Sequence, residues 1–187
     1  MKALARGALL AALLPLAGCV QHLPPPGASV DQVMALRAAP VVAVAVDPFR
    51  AGGSAARKDE GFAVRDVVIK PPKGQKWSGW LRDALAAQFD AIGKLDQNSP
   101  VHIDGELTAN EGGENFDDGR ARLSARFRVI RNGHPRYDKV KTVRSEWNSS
   151  VIGVIAYMEA ERNYSGLYAR LLDELIADPE FRTAIAP

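Results

Sequence analysis

Residues 101–109 alternate strictly between apolar and polar side chains. Val101, Ile103, Leu107 and Ala109 fall to one side, and His102, Asp104, Glu106 and Thr108 to the other. Successive side chains of a strand point to opposite faces, so this is the pattern of a strand with one dry and one wet face. Residues 120–129 repeat the alternation with Arg120, Arg122, Arg126 and Arg128 on the wet face. Joined by the loop 110–119, the two read as a hairpin in which an acidic wet face meets a basic one, a favourable cross-strand pairing. Asn132-Gly133 suits the positive φ of a tight hairpin turn and predicts a third strand over about 136–147, carrying Tyr137, Val140 and Val143.

Around this meander the period changes. Trp77, Trp80, Leu81, Ala84, Leu85, Gln88, Phe89 and Ile92 recur at three- and four-residue steps with Gly93 where a helix would end, an amphipathic helix packed on a sheet. The two tryptophans read as core, with a ligand platform or a lipid-interface anchor as the alternative. Tyr157, Met158, Tyr164, Leu167, Tyr168, Leu171, Leu172, Leu175 and Ile176 form a second stripe after a crossing loop at 149–153, and Asp178-Pro179-Glu180 marks the start of a short last helix carrying Phe181 and Ile185. Upstream, Val41-Val42-Ala43-Val44-Ala45-Val46 predicts a strand buried on both faces and central in its sheet. Residues 50–61 read as a mobile loop and 62–69 as one further strand. The order implies an α+β fold: a mainly antiparallel sheet of about five strands with two helices packed on one face and charged strand faces on the other.

The N-terminus is a targeting segment. Met1 to Arg6 carries two positive charges, and the Ala/Leu run 7–16 is too short to span a bilayer, so residues 1–18 read as a signal peptide. It ends in Leu16-Ala17-Gly18-Cys19, which resembles the lipobox of bacterial lipoproteins. The small residues let a peptidase approach the backbone, and Cys19, the only cysteine of the 187-residue chain, supplies the thiol for lipidation, with cleavage between Gly18 and Cys19. A single cysteine in an exported chain has no disulfide partner, and lipidation gives it a role. The resemblance further implies sorting to the outer membrane, facing the periplasm, because Val20 rather than Asp follows the cysteine. Residues 19–39, with Pro24-Pro25-Pro26, read as a lipidated tether holding a domain at 40–187 clear of the bilayer, with a short helix at 30–39.

Charge then has a simple meaning. The chain holds 24 Lys+Arg and 22 Asp+Glu, and loss of Lys2 and Arg6 with the signal leaves 22 of each. What remains is neutral overall but sorted, with acids over 104–118 and nine bases over 120–144. Arg120, Arg122, Arg126, Arg128, Lys139 and Lys141 form a candidate anionic-partner face, suited to lipid head groups, lipopolysaccharide phosphates or envelope glycans. The competing reading, and the favoured one, is a solvated face neutralised by Asp104, Glu106, Glu111, Glu114, Asp117 and Asp118. Export argues against nucleic acid.

Catalytic patterns are not evident. His22, His102 and His134 fall in the tether, on a wet strand face and beside a turn, without metal-ligand spacing. The acidic loop 111–119 does not match an EF-hand, and no nucleophile elbow or phosphate-cradling loop is present, so no catalytic, metal or cofactor site is expected. Paired carboxylates such as Asp117 and Asp118, or pairs that the fold assembles, are the acid-base candidates left. The element order over about 40–185, the valine-rich first strand, the Trp-Leu helix and the closing Leu175-Ile176-Ala177-Asp178-Pro179-Glu180 are similar to small outer-membrane lipoproteins of the YajG type. More loosely they are similar to auxiliary lipoproteins of intermembrane lipid transporters and of lipopolysaccharide assembly. The resemblance implies a non-catalytic binding or assembly accessory held to the membrane by Cys19, with an envelope protein or an anionic lipid or glycan as partner. The alternative is a lipid- or glycan-handling component with an apolar groove between sheet and helices.

Overall fold

The computed structural model describes residues 19–64, 67–115, 118–149 and 152–187. The predicted signal peptide with Gly18 lies outside these residues, as do Asp117 and the side chains of Cys19 and Tyr157.

The frame is the predicted meander, lengthened. Strand β6 (Val101–Glu114) pairs antiparallel with β7 (Asp118–Arg131), and β7 with β8 (His134–Asn148). Asn132 and Gly133 turn the second hairpin with φ of 52° and 79°, as their sequence demands. Over its described residues the expected loop 110–119 is mostly strand, because the two strands stay in register up to Glu114 and Gly119, with Asn115 N–H donating to Asp118 O beyond that pair. A bulge between Leu107 and Ala109 shifts the phase of β6, so Asn110 rather than Ala109 comes to lie in line with the apolar Leu123.

Two short strands, β2 (Ala45–Val46) and β3 (Arg50–Ala51), pair parallel with β6 to complete a five-stranded, mostly antiparallel sheet. The valine-rich run therefore lies at an edge, not at the centre. It is buried all the same, with Val44, Ala45 and Val46 inaccessible, because the helix Trp77–Ala91 covers it. The expected mobile loop 50–61 instead holds β3 and a 3₁₀ turn (Gly53–Arg57) seated along β6. The expected single strand 62–69 is split into β4 (Phe62–Val64) and β5 (Val67–Lys70), an antiparallel hairpin. β1 (Cys19–His22) adds to β5 in parallel, making a second, three-stranded sheet.

The helices lie on the dry face of the large sheet. α2 (Trp77–Ala91) packs against β2, β3 and β6, and α3 (Gly153–Ala177) against β7 and β8. A short helix α1 (Val30–Arg37) bridges α2 and α3, and α4 (Pro179–Ala184) closes on β7 and β8. The core is the predicted one: Ile103, Leu107, Leu123, Phe127 and Val129 from the sheet meet Leu81, Leu85, Phe89, Leu167, Leu171 and Leu175 from the helices. Each such side chain contributes about 2–3 kcal/mol by leaving water. Met158 departs from the expected stripe, being 54% exposed in the first turns of α3, and Val140 is 56% exposed on the wet face of β8.

Candidate functional site

The basic ribbon does not stand on one face. Residues of β8 alternate, so Lys139 and Lys141, in register with Phe127 and Ala125, point to the helix side, whereas Arg120, Arg122, Arg126 and Arg128 share the opposite face. On the helix side Lys141 Nζ lies 2.6 Å from Asp178 Oδ2, and Lys139 Nζ lies 2.7 Å from Glu180 Oε1. On the wet face Arg128 grips both carboxylate oxygens of Asp104 at 2.7 Å, and Arg126 pairs bidentately with Asp138 at 2.6 Å. The hydrogen bonds to Asp138 push the Arg126 guanidinium up, and those from Arg126 hold the Asp138 carboxyl below its usual range. Arg122 Nη1 sits 3.8 Å from Glu111 Oε2.

Internal neutralisation thus covers most of the ribbon, with partners partly unforeseen. Asp138 lies within the basic stretch itself, Asp178 and Glu180 come from the C-terminal helices, and Glu106 turns to Arg50 instead. Of the other bases, Arg131 donates to Ala186 O at 2.8 Å, Arg136 is exposed on β8, and Arg120 and Arg144 stand with Arg122 in a corner where Arg122 opposes Arg144 and Arg120 opposes Glu146 across β7 and β8.

The three histidines stay apart. His22 Nδ1 lies 2.6 Å from Pro71 O, His102 Nδ1 3.1 Å from Asp47 Oδ1, and His134 is exposed in the hairpin. Among the described residues no group of three or more His, Cys, Asp or Glu is placed to hold a metal ion.

The helix face holds a different feature. Trp77 is fully buried, stacked on Tyr168 at 5.5 Å between ring centres and edge-on to Tyr164 at 5.4 Å, and Tyr164 Oη donates to Asn110 Oδ1. Trp77 is therefore core. Trp80, edge-on to Tyr168 at 4.8 Å, sits at the border of that core. Its indole Nε1 donates to Pro24 O at 3.0 Å.

This contact shows that the Pro-rich stretch is laid on the domain. Leu23 is buried and its N–H donates to Lys70 O, Ser29 N–H donates to Gln88 Oε1 at 2.9 Å, and Gln88 Nε2 reaches Gly27 O at 3.4 Å. Prolines favour extended backbone with free carbonyls, which suits a strap over an aromatic surface. Between strap and helices runs a groove of about 350 Å³, walled by Pro24–Pro26, Trp80 and Ala84 on α2, and Tyr168 and Leu172 on α3. Gln32 of α1 also lines it. It is 3% exposed, and its Nε2 donates to Ala169 O and Asp173 Oδ1 at 2.9 and 2.8 Å. Its Oε1 is buried without a hydrogen-bond partner. Spacing places Gln88 on the packed stripe, whereas Gln32 escapes sequence reasoning because a polar residue in a short helix looks alike whether it faces solvent or a groove.

No family model and no curated protein matches the sequence. The fold is similar to that of protein XCC0632 from Xanthomonas campestris, of family model DUF330, with TM-score 0.57 and 12% identity over 84% of this chain and 92% of that one. Looser likenesses are the hypothetical protein CT253 from Chlamydia trachomatis (TM-score 0.44, 14% identity, 75% and 96% covered) and a minor lipoprotein from Acinetobacter baumannii (0.36, 12%, 78% and 92%). At these identities the likeness concerns the fold alone.

Proposed function

We propose that the chain is a lipid-anchored lipoprotein of the bacterial envelope, outer-membrane and periplasm-facing, acting as a non-catalytic binding or assembly accessory. The observation that carries the reading is Leu16-Ala17-Gly18-Cys19 set directly before β1, whose backbone pairs with β5 from Cys19 onward. Among the described residues the small sheet starts at Cys19, which pairs with Val67, so cleavage before Cys19 leaves this pairing intact and puts the anchor on the sheet's first residue. No described helix is long and apolar enough to cross a membrane.

The largely paired arginine face argues against a broad anionic docking surface as the working part. The groove under the strap supports the second reading, a lipid- or glycan-handling component, since sites for small ligands are mainly apolar clefts of about this size or larger.

Replacing Cys19 tests the anchor. In a Gram-negative host the wild-type N-terminal peptide should carry a diacylglyceryl thioether by mass spectrometry, and Cys19→Ala should leave the protein unprocessed or soluble. Membrane extraction identical to wild type, with an unmodified peptide, would refute it. Crosslinked pull-down of the lipidated protein from its own membranes tests the accessory role, and recovery of no reproducible partner or lipid would count against both readings.

A further inference from the structure

We propose that the outer edge of β8 pairs with β8 of a second copy of this chain, antiparallel about a two-fold axis at Lys141, so that the two five-stranded sheets become one. The inference goes beyond the anchor and the groove and rests on neither.

The edge is open. Among the described residues β8 has a strand on one side only, β7, and ends the order of the large sheet. Residues of a strand turn their backbone N–H and C=O to alternate sides, so every second residue of β8 presents both groups outward, a template for another strand. Among the described residues none of 137–146 bonds its backbone beyond the ladder with β7. Edges are commonly guarded by proline, bulges and lysines. Here Pro135 and the register shift beside Arg136 close the edge only before Tyr137, and Lys139 and Lys141 are turned to the helix side and held by Glu180 and Asp178.

The charges select the occupant. Arg144 and Glu146 are exposed, and among the described residues neither has an ion pair; Arg144 instead opposes the like-charged Arg122 across the ladder. With the axis at Lys141, Asp138 of each copy lies opposite Arg144 of the other, on the wet face by parity, and the symmetry makes that pair twice. Val140, 56% exposed, comes opposite Thr142 of the other copy. Moving the axis back to Val140 sets Lys139 opposite Lys141, and moving it on to Thr142 sets Asp138 opposite Glu146, like charges in both cases. Asp138 has room for a second arginine, since its two oxygens carry four lone pairs and meet only Arg126 within the chain. Lys141 faces its own counterpart on the helix side, where each is neutralised by Asp178 at 2.6 Å.

The test follows the mass of the full chain by sedimentation over a rising concentration series, with protein produced without lipidation and kept reduced so that Cys19 cannot link two copies. Wild type should pass from monomer to dimer, and less readily as salt rises. Asp138→Arg and Arg144→Glu should each weaken the dimer about tenfold or more, because every exchanged charge acts twice. Mixing the two variants should restore pairing, since each altered residue then meets an opposite charge, a rescue that misfolding would not show. Where either variant fails to fold, a cysteine pair decides. Val140→Cys mixed with Thr142→Cys, both in a Cys19→Ala background, should form a disulfide on oxidation, and Asp138→Cys mixed with Thr142→Cys should do so far more slowly. Wild type that stays monomeric throughout would overturn the inference and leave the edge to a strand of a different protein. A dimer indifferent to the charge changes and to the cysteine register would lie elsewhere on the molecule and overturn it too. Either result leaves the anchor and the groove untouched.

Discussion

Lys141 and Asp178 meet at 2.6 Å across the seam between the edge strand β8 and the α3–α4 junction, with side chains only 17% and 6% exposed. Asp178 serves three partners on two elements at once. It caps α4 by accepting from Glu180 N–H at 2.9 Å, and it takes the Tyr137 hydroxyl at 3.1 Å as well as the Lys141 ammonium. Removing one partner of a buried pair leaves the other charge uncompensated, so Asp178→Ala should cost about 3 kcal/mol or more in urea unfolding. Asp178→Asn retains the cap and should recover about 1 kcal/mol of that loss. An Ala variant as stable as wild type would show that the seam contributes little.

The same carboxylate sets an acid limit. Burial pushes its pKa up, but hydrogen bonds from Lys141, the Glu180 N–H and Tyr137 outweigh burial and hold it well below the usual carboxylate range. Its contribution is therefore full above the unfolded value of about 4 and is lost as pH falls toward the folded one. At the other end, burial pushes the Tyr137, Tyr164 and Tyr168 hydroxyls up, so stability held below about pH 10 should fall above it as the unfolded chain ionises. Urea midpoints should be flat between about pH 5 and 9 and drop on both sides, with a shallower acid limb in Asp178→Asn. An acid limb unchanged in that variant would assign it to other carboxylates.

Internal pairing on the wet face predicts a gain of function. Asp104 and Asp138 occupy Arg128 and Arg126, so Asp104→Asn with Asp138→Asn should free two guanidinium groups. The double variant should bind vesicles containing anionic lipid more tightly than wild type at low salt, and the difference should vanish as salt rises. Wild-type protein that already binds as tightly would mean that the Arg120, Arg122 and Arg144 corner suffices.

The meander, both long helices and the Asp178-Pro179 cap were legible because period, turn chemistry and capping are local properties. Val41–Val46 shows where this ends: a β-branched run looks the same whether neighbouring strands or a helix bury it, and α2 makes an edge strand look central. The charge sorting between 104–118 and 120–144 predicted neutralisation. Parity along β8, which sends Lys139 and Lys141 away from the arginines, depended on a register shift between Val129 and Ile130. The groove was not legible, since Leu23, Gln32, Trp80 and Tyr168 come from separate segments joined only by tertiary packing.

Gly105 is a packing position. Its β6 backbone lies under the Phe49 ring, and a Cβ there would approach ring carbons to about 2.5 Å, while Phe49 itself sits edge-on to Phe127 at 6.0 Å. Gly105→Ala should therefore cost about 1–3 kcal/mol by overpacking, and less in a Phe49→Leu background, where the ring is gone. Additive costs in that double-mutant cycle would disprove the clash.

The strap makes the last prediction. A lipidated N-terminus on a free Pro-rich tether would expose its amides to solvent, whereas here Leu23 N–H is bonded to Lys70 O and Ser29 N–H to Gln88 Oε1. Both amides should be protected from hydrogen exchange in the wild type. Trp80→Phe keeps an aromatic ring against Tyr168 but deletes the bond to Pro24 O, a loss of about 1 kcal/mol if the strap opens locally. Exchange at Leu23 and Ser29 should then rise about fivefold while amides in the middle of α2 hold their wild-type rates, because opening the strap breaks no bond within the helix. Exchange in the wild type as fast as in an unstructured peptide would show the segment to be a tether after all, and the groove beneath it would lose one wall.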